Sequence, residues 1–195
     1  VPPHEWNVDF PHVMLRAKAI KFRKGVKFRD RLLSSTDAVG KLAAIPVVAQ
    51  TVNALNRNPI SRKILQSTLG VHKDRDLPPY AARKFRSRAK DDLSFPVKDG
   101  RNTPGKVAIF STCYVNYNEP GIGHDLLAVL LHNEIPYVVV EKEACCGMPK
   151  LELGDLDGVE ALKRKNMPVL AKYAREGYAI LAPVPSCALM FKQEL

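Results

Sequence analysis

The sequence predicts an α/β fold: a βαβαβ parallel sheet over residues 105–195, preceded by an α-helical basic connector over residues 1–104. Three observations lead there. Short apolar runs at 107–112, 137–140 and 179–182 alternate with longer stretches of helical periodicity. Continuous apolar strands between amphipathic helices belong to parallel sheets covered on both faces, with right-handed crossovers. Charge divides at the same place. Residues 1–106 carry 22 Lys and Arg against 9 Asp and Glu, a balance of +13, whereas 107–195 carry 8 against 11. Finally, residues 98–105 are rich in Gly, Pro, Asn and charge, the composition of a linker.

Taken in order, residues 1–10 read as extended, with Trp6 and Phe10 as anchors. A helix is predicted over 11–24, with Val13, Met14, Ala17 and Ile20 as its apolar stripe and Gly25 as its stop. A short helix over 28–34 follows, and Thr36 or Asp37 is placed to cap the next one. The apolar run 43–55 is interrupted by Pro46. It reads as a packed helix broken before that residue, with insertion into a membrane surface as the other reading. Pro59 opens a helix that ends at Leu69, where Gly70 closes it. Residues 76–79 form a turn, and 80–93 a basic helix or coil.

In the second half, the first strand leads into a loop over 114–123. Gly121 and Gly123 lack the third glycine of a dinucleotide-binding loop and read as turn flexibility. The helix that follows turns Leu126, Leu127, Leu130 and Leu131 inward and stops at Pro136. After the second strand, a helix over 159–175 buries Leu162, Val169, Leu170 and Tyr173.

Composition sets the outer bounds. A chain of 195 residues with 46% hydrophobic content holds a real core. No window of eighteen apolar residues offers a membrane span. The proline-rich start shows no signal-peptide pattern, so a cytoplasmic location is expected, or a peripheral one on the inner face of the cytoplasmic membrane. The chain begins at Val and stops inside a helix, which reads as a fragment of a longer protein. The basic half reads as a solvated basic surface, with docking on an anionic membrane surface or an acidic partner protein as the other reading. Nucleic acid is not expected: aromatics are sparse among the basic residues, and neither helix-turn-helix nor zinc-finger spacing occurs.

All four cysteines fall just beyond the carboxyl ends of the three strands: Cys113 after the first, Cys145 and Cys146 after the second, and Cys187 after the third. In an open parallel sheet those ends lie side by side and form the ligand crevice. Reduced cysteines brought to one place suggest metal or redox chemistry. Neighbouring cysteines are poor joint ligands for one tetrahedral ion but can ligate separate irons of a cluster, with Gly147 letting the backbone fold closely around it. Backbone N–H groups at the following helix starts would compensate the thiolates, and Ser111, Ser186 and Tyr114 are candidate donors to the sulfurs. His124 reads as a helix N-terminal residue. Structural zinc and a vicinal disulfide are the alternatives.

The series Cys113, then Cys145-Cys146-Gly147, then Pro185-Ser186-Cys187 resembles the cysteine-rich CCG domain. That domain occurs in the B and D subunits of heterodisulfide reductase, in the C subunit of anaerobic glycerol-3-phosphate dehydrogenase, and in iron–sulfur subunits of glycolate and lactate oxidation. The resemblance implies an oxidoreductase subunit with an iron–sulfur cluster of [4Fe–4S] type on Cys113, Cys145, Cys146 and Cys187. It also implies electron transfer, and a flavoprotein or other oxidoreductase partner near a membrane quinone. The fullest form of the motif ends in Cys-x-x-Cys. Here Met190 stands at the last position and is expected to pack in the core.

Overall fold

The structure is a computed structural model that describes residues 9–88, 94–96 and 105–195. Trp6 and most of the 98–105 linker lie outside the described residues. Five helices come first. α1 (Phe10–Arg23) is opened by Asp9, whose carboxylate accepts the His12 N–H. Phe10, expected as an anchor, is 63% exposed. α2 (Phe28–Ser34) matches its predicted span, and α3 (Thr36–Ala43) starts from Ser35 rather than from Thr36 or Asp37. The helical run breaks at 44–45, before Pro46 as expected, and Pro46 opens α4 (Pro46–Arg57), where its missing N–H costs no helical bond. Asn58 then caps α5 (Pro59–Leu69) by accepting the N–H groups of Ile60 and Ser61, and Gly70 closes it in the left-handed region.

The reading of 43–55 as a packed helix is corrected. Within α4 only Ala49 is buried, while Val47, Val48 and Leu55 face outward. No single described helix is long and apolar enough to cross a membrane; α3 and α4 together reach that length and composition but are bent by 106°. Of the basic stretch 80–93, the described residues 80–88 are helical only in the short α6 (Phe85–Arg88).

The sheet has β1 (Ser94–Phe95), β2 (Val107–Ile109), β3 (Tyr137–Val139) and β4 (Ala179–Leu181) in the order β1-β3-β2-β4. β2 pairs in parallel with β3 and β4, Ala108 lying opposite Val138 and Ile180. β1 adds an antiparallel edge that the sequence had not suggested. The predicted loop after Cys113 is instead α7 (Cys113–Tyr117), followed by α8 (Pro120–His132). α9 (Met148–Leu153) and α10 (Leu156–Arg175) connect β3 to β4, and α11 (Pro185–Leu189) runs into a π-helical turn over Met190–Glu194.

Alternation along β2 splits the core between two faces. Ala108 and Phe110 join Val140, Leu151, Val159, Leu170 and Met190 on one side, together with Cys145, Cys146 and Cys187. Val107 and Ile109 join Val115, Leu127, Leu130, Tyr137 and Val139 on the other, where Phe85 of α6 completes the layer. Leu131 stays exposed, so the buried face of α8 is narrower than its leucines suggested. Gly123 has a packing role rather than the flexibility expected of it: a Cβ there would stand 2.6 Å from the Phe85 ring.

Candidate metal centre

Each cysteine is delivered by a different local device. Thr112 holds φ at +68°, an unusual setting for a β-branched residue, and its hydroxyl accepts the Val115 N–H to cap α7. Cys113 is thereby the first residue of that helix. Cys145 and Cys146 end the segment after β3. Gly147 then turns at φ +101°, where Met190 Cε would lie 3.3 Å from an added Cβ, and α9 begins. Cys187 sits in the first turn of α11, opened by Pro185. Strand-end placement thus holds for all four, although each strand stops at three residues and the thiols sit four to seven positions further on.

The thiols form a row. Cys113 contacts Cys145, Cys145 contacts Cys146, and Cys146 contacts Cys187. Cys145, Cys146 and Cys187 are buried, and Cys113 is half-buried. Cys145 takes hydrogen bonds from Cys113, Cys146, the Thr36 hydroxyl and the Gly147 N–H, which hold it far below the ordinary thiol range. Donation to Cys145 pushes Cys113 and Cys146 up, and burial adds to this. The Met148 N–H also points to the Cys146 sulfur. The backbone donors expected at helix starts are therefore present after the vicinal pair.

Among the described residues, no group of three or more His, Cys, Asp or Glu side chains is gathered to hold a single ion. A structural zinc requires its ligands around one point. A row of four soft sulfurs with no carboxylate or imidazole among them fits an iron–sulfur cluster, which is ligated at separate irons. The donor set suits that group.

The surrounding residues differ from those expected. Ser111 donates both its N–H, at 2.8 Å, and its hydroxyl to the buried Glu143 carboxylate. Ser186 is exposed, and Tyr114 is 38% exposed. The hydroxyl that reaches the sulfurs is Thr36 from α3, 3.7 Å from Cys113 Sγ and 3.5 Å from Cys145 Sγ. Asn166 on α10 accepts the Ala144 N–H at 2.8 Å and donates to the Cys145 carbonyl at 3.0 Å, which fixes the backbone of the vicinal pair. Arg86 donates to the Val140 and Glu141 carbonyls and lies 3.4 Å from the Glu143 carboxylate. Burial pushes Glu143 up, and the Ser111 and Arg86 contacts oppose it. His124 packs edge-on against Phe85, away from the thiols. Met190 is fully buried, as expected. A cavity of about 180 Å³ opens against Cys113 and Cys145, between Asp37, Arg86, Asn116 and Tyr117. It has room for a few waters.

Thiols gathered at the ends of parallel strands define a cysteine-rich α/β domain. Residues 107–192 match the family described as CCG, cysteine-rich domain. Over 193 residues the chain is 28% identical to the C subunit of anaerobic glycerol-3-phosphate dehydrogenase of Escherichia coli (strain K12), covering 96% of this chain and 46% of that protein. It is 32% identical over 96 residues to the B subunit of fumarate reductase (CoM/CoB) of Methanothermobacter marburgensis, covering 49% of this chain and 19% of that protein. An uncharacterized iron–sulfur protein of Methanocaldococcus jannaschii is 34% identical over 67 residues, covering 34% of this chain and 14% of that protein. The chain therefore spans about half the length of the first of these relatives. No solved structure matches it.

Proposed function

We propose that this chain is the iron–sulfur part of a heterodisulfide reductase-like or glycerol-3-phosphate/glycolate dehydrogenase-like oxidoreductase. In this reading Cys113, Cys145, Cys146 and Cys187 hold a cluster of [4Fe–4S] type. The observation that carries it is the row of four thiols at the ends of three parallel strands, inside a domain whose relatives are named as dehydrogenase, reductase and iron–sulfur proteins. When bound, the cluster would accept and release single electrons. The chain's own residues would bind and tune it. Thr36 and the Gly147 and Met148 N–H groups offset negative charge on sulfur. Asn166 and Arg86 both hold the segment after β3 that carries Cys145 and Cys146.

Substrate oxidation is assigned to a partner, a flavoprotein or another oxidoreductase subunit. The helical segment, residues 1–104, is read as a connector that docks on that partner or on an anionic membrane face near a quinone. Its positive balance and the exposed apolar residues of α4 support this.

Anaerobic purification followed by iron, sulfide and zinc analysis tests the centre, with electron paramagnetic resonance on the reduced sample. Iron and sulfide are expected in the native chain and absent from Cys145→Ser. Stoichiometric zinc without iron would overturn the reading. Association with anionic vesicles or with an acidic partner protein tests the connector, and failure to bind either removes that part of the proposal.

A further inference from the structure

Far from the cysteines, the corner between α4 and α5 encloses a second polar site. Arg62 sits there with 6% exposure. Its Nε donates to the Lys73 carbonyl at 3.0 Å, and its Nη2 donates to the carbonyls of His72 and Arg75. These three bonds clamp the segment after α5 and explain two of the guanidinium nitrogens. The third, Nη1, is buried with no hydrogen-bond partner. No carboxylate among the described residues lies within ion-pair reach of Arg62, and the nearby Asp74 is taken by Lys73 Nζ at 2.9 Å. Asp74 feels the Arg62 charge without bonding to it, and an unmade bond at a buried guanidinium donor is costly.

Arg62 lines a cavity of about 500 Å³, whose walls also carry Arg57, Lys63, Lys73 and Arg75. Two acids, Asp74 and Asp76, face these five cations. The loop clamp accounts for where Arg62 is. It does not account for four further cations drawn around the same space, which repel one another unless an anion sits among them.

We propose that this cavity binds a phosphate-type dianion, with Arg62 at its base and Arg57 and Lys63 at its rim. The open Nη1 of Arg62, with the Arg57 and Lys63 charges beside it, offers charge-assisted hydrogen bonds to phosphate oxygens. An adjoining groove lined by Val52, Leu55, Ile64 and Leu65 shares Asn56 and Arg62 with the cavity, so the dianion has an apolar wall beside it. The phosphate can belong to a dissolved ester or to a phospholipid headgroup. The site is independent of the cysteine centre, and its test needs no iron.

Inorganic phosphate titrated into the full chain by calorimetry, in a constant chloride background, is expected to give saturable heat. The rim double variant R57Q/K63Q leaves the Arg62 clamp intact, so its circular dichroism should be unchanged while its affinity falls about tenfold. Non-saturable heat, or equal affinity in the variant, overturns the proposal. Co-sedimentation with phosphatidylglycerol vesicles separates the two sources. Release of the chain by saturating phosphate assigns the site to headgroups. Saturable phosphate binding without vesicle release assigns it to dissolved esters.

Discussion

Arg86 and Arg62 are both drawn into the protein, one beside the cysteine crevice and one in the α4–α5 corner. Arg86 is met by two carbonyls and by the Glu143 carboxylate, which Ser111 in turn satisfies. Arg62 is met by three carbonyls and no carboxylate, and keeps one buried donor open. The neighbouring apolar residues differ in the same sense: those of the crevice are buried on both faces of the sheet, whereas α4 buries only Ala49. The crevice is finished from within the chain. The corner has charge and apolar surface that the described chain leaves unmatched, and this points outward to a ligand or partner.

The largest expected effect tests the internal balance of the crevice. Arg86→Ala leaves Glu143 buried beside no cation and should cost about 3–5 kcal/mol in denaturant unfolding; a cost below about 1 kcal/mol would mean the crevice does not rest on this pair. Asn166→Leu comes next. It strands the Ala144 N–H and the Cys145 carbonyl, for a loss of roughly 2–3 kcal/mol together with reduced iron content.

Asp155 caps α10 by accepting the Gly158 N–H and pairs with Lys150 at 2.9 Å. Burial pushes its carboxyl up, but the Lys150 and Gly158 contacts outweigh that, and the group lies below its ordinary 3.8. Its stabilisation is therefore present above that value and lost as pH falls through the folded value. Asp155→Ala should cost about 1 kcal/mol at neutral pH, and the gap from the parent should close below about pH 4.

Thr36→Val removes one hydroxyl from the sulfurs. Reduction adds negative charge that this donor stabilises, so the potential should fall by roughly 40 mV, the equivalent of about 1 kcal/mol for one electron; Thr36→Ser should restore it. The smallest effect belongs to the corner. Val47→Ser, at a position 73% exposed, should change unfolding by less than about 0.5 kcal/mol. A loss of about 2 kcal/mol there would show that this face is covered, and the contrast between the two regions would disappear.

The strands and the four thiols were legible because each signal is local: an apolar run, a proline or glycine, and a cysteine just beyond. Helices opened by Asn58-Pro59 or closed by Gly70 were legible for the same reason. What stayed hidden depends on partners far along the chain. Asn166 and Arg86 carry no local signal, and only the fold sets them against residues 144–145 and 140–143. Thr36 looked like a helix cap, and nothing near it in sequence announces a sulfur. β1 has two residues, too few for any alternation to register. α4 misled in the other direction, since its composition is that of a core helix and only tertiary packing reveals its exposed face.

One consequence of Thr36 reaches beyond tuning. A side chain of α3 rests on two of the four sulfurs, so filling the centre and docking α3 are linked equilibria. Loading the sulfurs should tighten the α3–α4 bend, and stripping them should loosen it. Limited trypsin digestion at Lys41 would then act as a reporter of cluster occupancy, cutting the empty protein faster than the loaded one without any iron signal being read.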